Sequence, residues 1–292
     1  GRLYVQRHVA PTLKGHVQAL TERLRSSFAR RLRELAWMTP ATRARALEKL
    51  QALTFKIAYP SKWHRAPNKV SLRLEDMAYN VQRLTEWDHR EELRQEGRRV
   101  DPLLWDGSTP QVVNAFYVPE RNEVVFPAAI LQEPYYNPGA SLAYNLGGIG
   151  ATIGHEMTHA FDDEGRRFDA RGNLRDWWTE QDARQFEEHR KSIVRQYDKL
   201  RSAGRKVNGT LTTGENIADM GGLMVAQQAL LEDCHVRKLS HASIERELDV
   251  FYRQYATSWC MHTRDKAMRE RLASDSHSPE EHRVNAVLEG GR

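Results

Sequence analysis

Five consecutive residues constrain this chain more than any others: His155-Glu156-Met157-Thr158-His159. They fall in a stretch from about Ser141 to Asp162 that reads as one long helix, and residues four apart on a helix share a face. Any fold that keeps this helix brings His155 and His159 to a common point, where imidazole nitrogens can meet a zinc ion at about 2.0 to 2.1 Å. Glu156 sits about 100° round the helix, beside a metal-bound water. Zinc lowers the pKa of such a water towards about 7, and a neighbouring glutamate accepts its proton. The alternative is a helix that merely carries two histidines and a glutamate, which the five residues alone do not exclude. Gly147, Gly148, Gly150 and Gly154 are poor helix formers on the same helix, and they point to elements packed close around it.

A catalytic zinc needs a third protein ligand and an open position. Gly214-Glu215-Asn216-Ile217-Ala218-Asp219 supplies a carboxylate on a second helix. Glu215 and Asp219 are four apart, so Glu215 can bind the metal while Asp219 accepts the spare ring proton of a ligand histidine and fixes its tautomer. Thr212 and Glu215 also fit a capping box at a helix start. A side chain turned onto the metal cannot also cap, so the two readings compete.

Elsewhere the pattern is mainly helical. Helices are expected from Val17 to Trp37 and, with Thr39 as cap and Pro40 at the first helical position, to about Leu53. A third periodic stretch, Leu72, Met77, Val81 and Leu84, ends near Trp87, and further helices are expected over 179–202, 213–232, 242–260 and 264–273. Val112 to Val118 and Glu123 to Phe126, separated by a Pro119 to Asn122 turn, read as a β-hairpin. The expected class is α+β, mainly α with a small β-sheet.

Composition excludes more than it suggests. With 292 residues and 40% hydrophobic content the chain can bury a substantial core in one large domain or two modest ones. Its net charge of +5 comes from basic residues scattered among acids. The densest group, Arg25, Arg30, Arg31 and Arg33, surrounds an apolar helix stripe without an aromatic platform, which argues against nucleic acid as a partner. No apolar run approaches the roughly 18 residues of a membrane span. Cys234 and Cys260 make no disulfide framework, and the compartment stays open.

His155 to Asp163 and Gly214 to Asp219 resemble the two zinc motifs of the neprilysin and endothelin-converting enzyme family. The resemblance continues in order along the chain, through Gly1-Arg2-Leu3-Tyr4-Val5, Trp37-Met38, Val113 to Tyr117, Phe126-Pro127-Ala128, Asp176 to Thr179, Trp259-Cys260, His277-Ser278-Pro279 and Arg283-Val284-Asn285. It implies a thermolysin-like zinc peptidase domain with one Zn²⁺ per chain, held by His155, His159 and Glu215. Glu156 would be the general base, Asp219 would orient a ligand histidine, and Asp162 is a further candidate for that supporting role.

The resemblance also implies how a peptide substrate is held. Asn114 and the backbone of Ala115 would grip the peptide main chain, His277 would stabilise the oxyanion of the tetrahedral intermediate, and Arg283 would bind a substrate carbonyl. The residues themselves permit a local reading, in which Ser278, Pro279 and Glu281 start a helix and Arg283 pairs with Glu280 on it. The pocket for the side chain after the scissile bond would map to Ile130, Tyr135, Ala151, Thr152, Ser258 and Trp259. The hydroxyls of Thr152 and Ser258 suggest a taste for less purely apolar side chains.

Family members carry a long helical lobe before the segment matched here. Residues 1–54 are therefore expected to belong to, or link with, such an N-terminal lobe, and residues 55–292 to form the catalytic domain. The resulting expectation is an endopeptidase acting on oligopeptides or on one precursor peptide. The competing expectation is a catalytically silent module that keeps the fold to clasp a peptide.

Overall fold

A computed structural model describes residues 1–63, 67, 69–105 and 107–290. Helices dominate: α1 (Arg2–His8), α2 (Leu13–Glu34), α3 (Pro40–Ala52), α4 (Met77–Leu93), α5 (Leu142–Asn145), α6 (Ala151–Thr158), α7 (Glu180–Tyr197), α8 (Thr213–Val236), α9 (His241–Ser258), α10 (Asp265–Ser274) and α11 (Glu280–Gly290). Strands β1 (Thr54–Ala58), β2 (Phe116–Val118) and β3 (Glu123–Pro127) form one small sheet, and β4 (Arg201–Ser202) pairs with β5 (Arg205–Lys206) in a second.

The core grows from the amphipathic faces of the helices. On α2, Val17, Leu20, Leu24, Phe28 and Leu32 are buried at three- and four-residue steps, the spacing of one helix face. This face joins Ile153 and Met157 of α6 and Val225, Ala229 and Leu230 of α8 in one continuous cluster. Helix α8 runs through the middle and packs against α2, α6, α7, α9 and α11. Residues 1–54 and 55–292 thus contribute to the same core. Helix α4 has no buried residue.

The sheet order is β1-β3-β2, with β1 parallel and β2 antiparallel to the fully buried β3. Buried Lys56 and Glu123 form an ion pair at 2.8 Å across its base. The hairpin expected from Val112 pairs only from Phe116. Continuing the register would set Asn114 opposite Pro127, which has no N–H to donate, so the ladder stops and 112–115 leaves the sheet unpaired.

Several expected helices also differ in detail; the one expected over 179–202 ends at Tyr197, and Arg201–Ser202 is strand β4. The stretch from Ser141 is α5, then a wide π-type turn over Leu146–Gly150, then α6, which ends at Thr158 rather than Asp162. Close neighbours explain the glycines there: a Cβ on Gly147 would lie 2.1 Å from the Phe251 carbonyl oxygen, and the Ile149 N–H donates to the Tyr135 carbonyl at 2.6 Å. At α3 the Thr39 side chain does not cap; its backbone N–H donates to Asp182 Oδ1 at 2.8 Å and its hydroxyl donates to Oδ2 of the same buried carboxylate, a charge-assisted bond that holds the hydroxyl away from the helix end.

Candidate metal centre

Helices α6 and α8 cross at glycine. A Cβ on Gly222 would lie 2.4 Å from the His155 backbone nitrogen, and one on Gly154 would lie 2.7 Å from the Gly222 oxygen. Backbone therefore packs on backbone, and the first turns of α8 lie over the histidines of α6.

Three donors converge there. His155 Nε2 and His159 Nε2 are 3.0 Å apart, and Glu215 Oε2 lies 3.2 Å from the first and 3.7 Å from the second. Among the described residues these three form the cluster of His, Cys, Asp and Glu donors able to hold a metal ion. Each ring is anchored from behind, His155 Nδ1 at 2.8 Å from Asp219 Oδ1 and His159 Nδ1 at 2.6 Å from Asp162 Oδ2. When Nδ1 donates to a carboxylate, the lone pair of a neutral ring sits on Nε2. Two such lone pairs facing each other at 3.0 Å repel unless a proton or a metal ion lies between them. Glu215 Oε2 is itself a buried oxygen without an aligned hydrogen-bond donor. The donor set and its unmet acceptors fit a divalent metal with nitrogen and oxygen ligands.

Glu215 does not complete the capping box. Thr212 caps nothing with its side chain, accepting instead from Asn216 Nδ2 at 2.9 Å, and Glu215 turns towards the histidines. Asp162 lies in the turn where α6 ends; its Oδ1 accepts the N–H groups of Glu164 and Gly165, which terminates the helix and fixes the carboxylate under His159.

Electrostatics separates the two glutamates. Burial pushes the Glu156 carboxyl above its ordinary value. Burial would raise Glu215 too, but His155 and His159 outweigh it and hold that carboxyl down at about 2. Burial disfavours a proton on His155, yet Asp219 and Glu215 outweigh it and raise the ring to about 10, a proton that a bound cation displaces.

The remaining candidates surround the donors. His277 Nε2 lies 3.2 Å from Glu215 Oε2, and its Nδ1 is 2.8 Å from Asp275 Oδ1. Buried Arg283 gives Nε and Nη2 to Asp219 at 2.7 and 2.6 Å and stacks 3.9 Å over the Trp259 ring. It does not pair with Glu280, as local spacing allows; Glu280 is bound to Arg271. A cavity of about 160 Å³ beside the donors is lined by Asn114, Ala115, Ile130, Tyr135, Ala151, Thr152, Glu156, Trp259, His277 and Arg283 among others. Ser258 is not part of this lining, because its hydroxyl donates to the Gln254 carbonyl of its own helix at 3.0 Å.

One supporting residue has no signature in the sequence. Lys49 on α3 is buried, and its ammonium donates to the carbonyls of Ala160, Gly165 and Phe168 at 2.7, 2.7 and 2.6 Å, tying down the turn that carries Asp162. Burial pushes its pKa down to about 7 against the pull of Asp162 and Asp169.

Residues 114–290 match the family model of peptidase family M13, and residues 1–60 match that family's N-terminal model. The chain belongs to peptidase family M13. It is similar to human neprilysin, 36% identical over 304 residues that cover 99% of this chain and 40% of that protein. Human endothelin-converting enzyme-like 1 is 35% identical over 97% of this chain and 38% of its own length. Among solved structures, the Mycobacterium tuberculosis zinc metalloprotease Zmp1 in complex with an inhibitor superposes with a TM-score of 0.88 at 40% identity, covering 98% of this chain and 44% of that one. PepO from Lactobacillus rhamnosis superposes at 0.89 and 35% identity, with the same coverage. The chain spans between 35% and 41% of the length of the curated relatives just described and their kin. The fold is that of the M13 zinc peptidases, and the cofactor is zinc. No helix among the described residues is long and apolar enough to cross a membrane.

Proposed function

We propose that this chain is the catalytic portion of a zinc-dependent endopeptidase that hydrolyses internal peptide bonds of oligopeptides or of a precursor peptide. The observation that carries the reading is the meeting of three metal-binding donors, a buried glutamate and a segment that has left the sheet in one cleft. His155, His159 and Glu215 would hold one Zn²⁺ per chain. Zinc bound there would polarise the scissile carbonyl and lower the pKa of its water towards about 7.

Glu156 would serve as the general base beside such a site, a task suited to a carboxyl that burial keeps more basic than usual. Asp219 and Asp162 hold the His155 and His159 rings with Nε2 free to coordinate. The 112–115 segment lends backbone groups to an extended peptide, as an unpaired strand edge does. The Asn114 amide and the Ala115 backbone fix the substrate main chain. His277 donates from Nε2 to the developing oxyanion, its other nitrogen fixed by Asp275. Arg283 keeps guanidinium N–H groups beyond those spent on Asp219 and offers them to a substrate carbonyl. An N-terminal helical lobe, as a further partner of residues 1–54, would limit substrate size.

Cleavage profiling of a mixed peptide library by the purified protein tests the reading, with a chelator control and the Glu156→Gln variant. The expected result is internal cleavage that both the chelator and the substitution abolish. Zinc bound without cleavage by the unmodified chain would favour the silent clasp and overturn the enzyme.

A further inference from the structure

The loop from Asp275 to Pro279 carries His277 into the cleft, and one side chain outside the cleft grips both ends of it. Arg271, on the last turn of α10, donates Nε to Asp275 Oδ2 at 3.2 Å and Nη1 to Glu280 Oε1 at 2.7 Å. Asp275 Oδ1 accepts both the backbone N–H and the ring Nδ1 of His277, at 2.9 and 2.8 Å. Glu280 opens α11, the helix that carries Arg283 to Asp219. We propose that Arg271 is a positioning residue that sets the orientation of the His277 ring by holding the Asp275 carboxylate from behind and closing the loop onto α11.

The chemistry of the guanidinium is what makes the bridge. Asp275 and His277 are partly exposed, with side chains 30% and 43% accessible, so water competes for this carboxylate as it does not for buried Asp219. A carboxylate free to rotate would present either oxygen or none to Nδ1, and the ring would turn with it. With Nδ1 donating to Asp275, Nε2 can donate to an oxyanion only in the doubly protonated ring. Asp275 must be fixed if Nε2 is to be aimed at one place. Arg271 occupies Oδ2 and leaves Oδ1 for His277, and its planar fork reaches a second carboxylate at the same time. The other anchor of the loop is Ser278, whose hydroxyl donates to buried Asn216 Oδ1 at 2.7 Å. Ser278 fixes where the loop sits; Arg271 fixes how the ring is turned.

This rests on the reading of His277 as the oxyanion donor, so the test separates the two. Arg271→Ala, Arg271→Lys, His277→Phe and the double variant Arg271→Ala with His277→Phe are compared for kcat and KM on a peptide that the unmodified chain cleaves. The ring ¹⁵N and ¹³C signals of His277 are recorded on the zinc-free labelled chain, assigned by their loss in His277→Phe. Arg271→Ala is expected to lower kcat by about 10- to 100-fold, the range for losing such support, with KM within about twofold and one zinc still bound. Its His277 ring signals should shift as the ring loses its fixed orientation, and Arg271→Lys should restore both readouts in part. In the His277→Phe background the same substitution should have no further effect on kcat. An equal loss of kcat in both backgrounds, or unshifted His277 signals in Arg271→Ala, would overturn the proposal while leaving His277 in its role. An unchanged kcat in His277→Phe alone would overturn the His277 reading, and the proposal with it.

Discussion

The contact that sets the geometry of the centre is Gly222 against α6, and Gly222→Ala perturbs it alone. The added Cβ would sit 2.4 Å from the His155 nitrogen, 2.6 Å from the Ala151 oxygen and 2.8 Å from the His155 Cα. All three are backbone atoms of α6, so no rotamer change relieves them. Ordinary contact begins near 3.4 Å, so α8 must withdraw by about 1 Å. Glu215 lies seven residues, two helical turns, before Gly222 and therefore on the same face, so it moves with it. Overpacking of this kind costs about 1–3 kcal/mol, from which the better helix propensity of alanine returns up to about 1 kcal/mol. A metal site tolerates about 0.2 Å in its distances, so zinc affinity should fall by about tenfold or more. Urea unfolding of the zinc-free chain and competition for zinc with a chromophoric chelator read the two effects. Gly15→Ala is the control: Gly15 lies on α2 with nothing within 4 Å of its Cβ, so it should stabilise by about 0.5–1 kcal/mol and leave zinc binding alone. A Gly222→Ala chain that gains stability like the control and holds zinc as tightly as the unmodified one would refute the close-packing argument.

Lys49→Met removes the donor that the carbonyls of Ala160, Gly165 and Phe168 share, and should destabilise by about 2–4 kcal/mol in urea unfolding and weaken zinc binding through the Asp162 turn; a loss under about 0.5 kcal/mol would show that water replaces the ammonium. Asp182 gives an acid limb to stability. Burial would raise its pKa, but the hydroxyls of Thr179, Thr39 and Thr42 outweigh this and bring it to about 2, so the unfolded chain, titrating near 3.9, takes up the proton first. Its contribution, on the order of 2 kcal/mol, is therefore present above pH 4 and lost as pH falls towards 2, and Asp182→Asn should flatten unfolding free energy across that window; an unaltered profile would contradict the assignment.

The centre was legible because its chemistry is local. His155, Glu156 and His159 share one helix, Glu215 and Asp219 another, and four-residue spacing alone sets each group on one face. What the spacing hides is competition. Glu280 and Arg283 are three apart and look like a pair, yet Asp219, 64 residues earlier, takes the guanidinium with both its oxygens, while Glu280, buried too, is bound to Arg271. Lys49 sits in Leu47-Glu48-Lys49-Leu50, an ordinary helix surface by pattern, and only the fold brings three carbonyls to it. Strand β1 was not foreseen, since Thr54 to Ala58 is short and its parallel partner begins 69 residues later at Glu123. Helix α6 ends four residues before the pattern does, in a turn whose Glu164 and Gly165 N–H groups are taken by the Asp162 side chain.

Equilibrium zinc binding by the unmodified chain, Glu156→Gln and Glu215→Ala tests the central claim most directly. The account predicts one zinc per chain with similar affinity in the first two, and affinity weaker by about 100-fold or more in the third, where an anionic ligand is gone. Equal affinity in Glu215→Ala, or no zinc held by the unmodified chain, would contradict it.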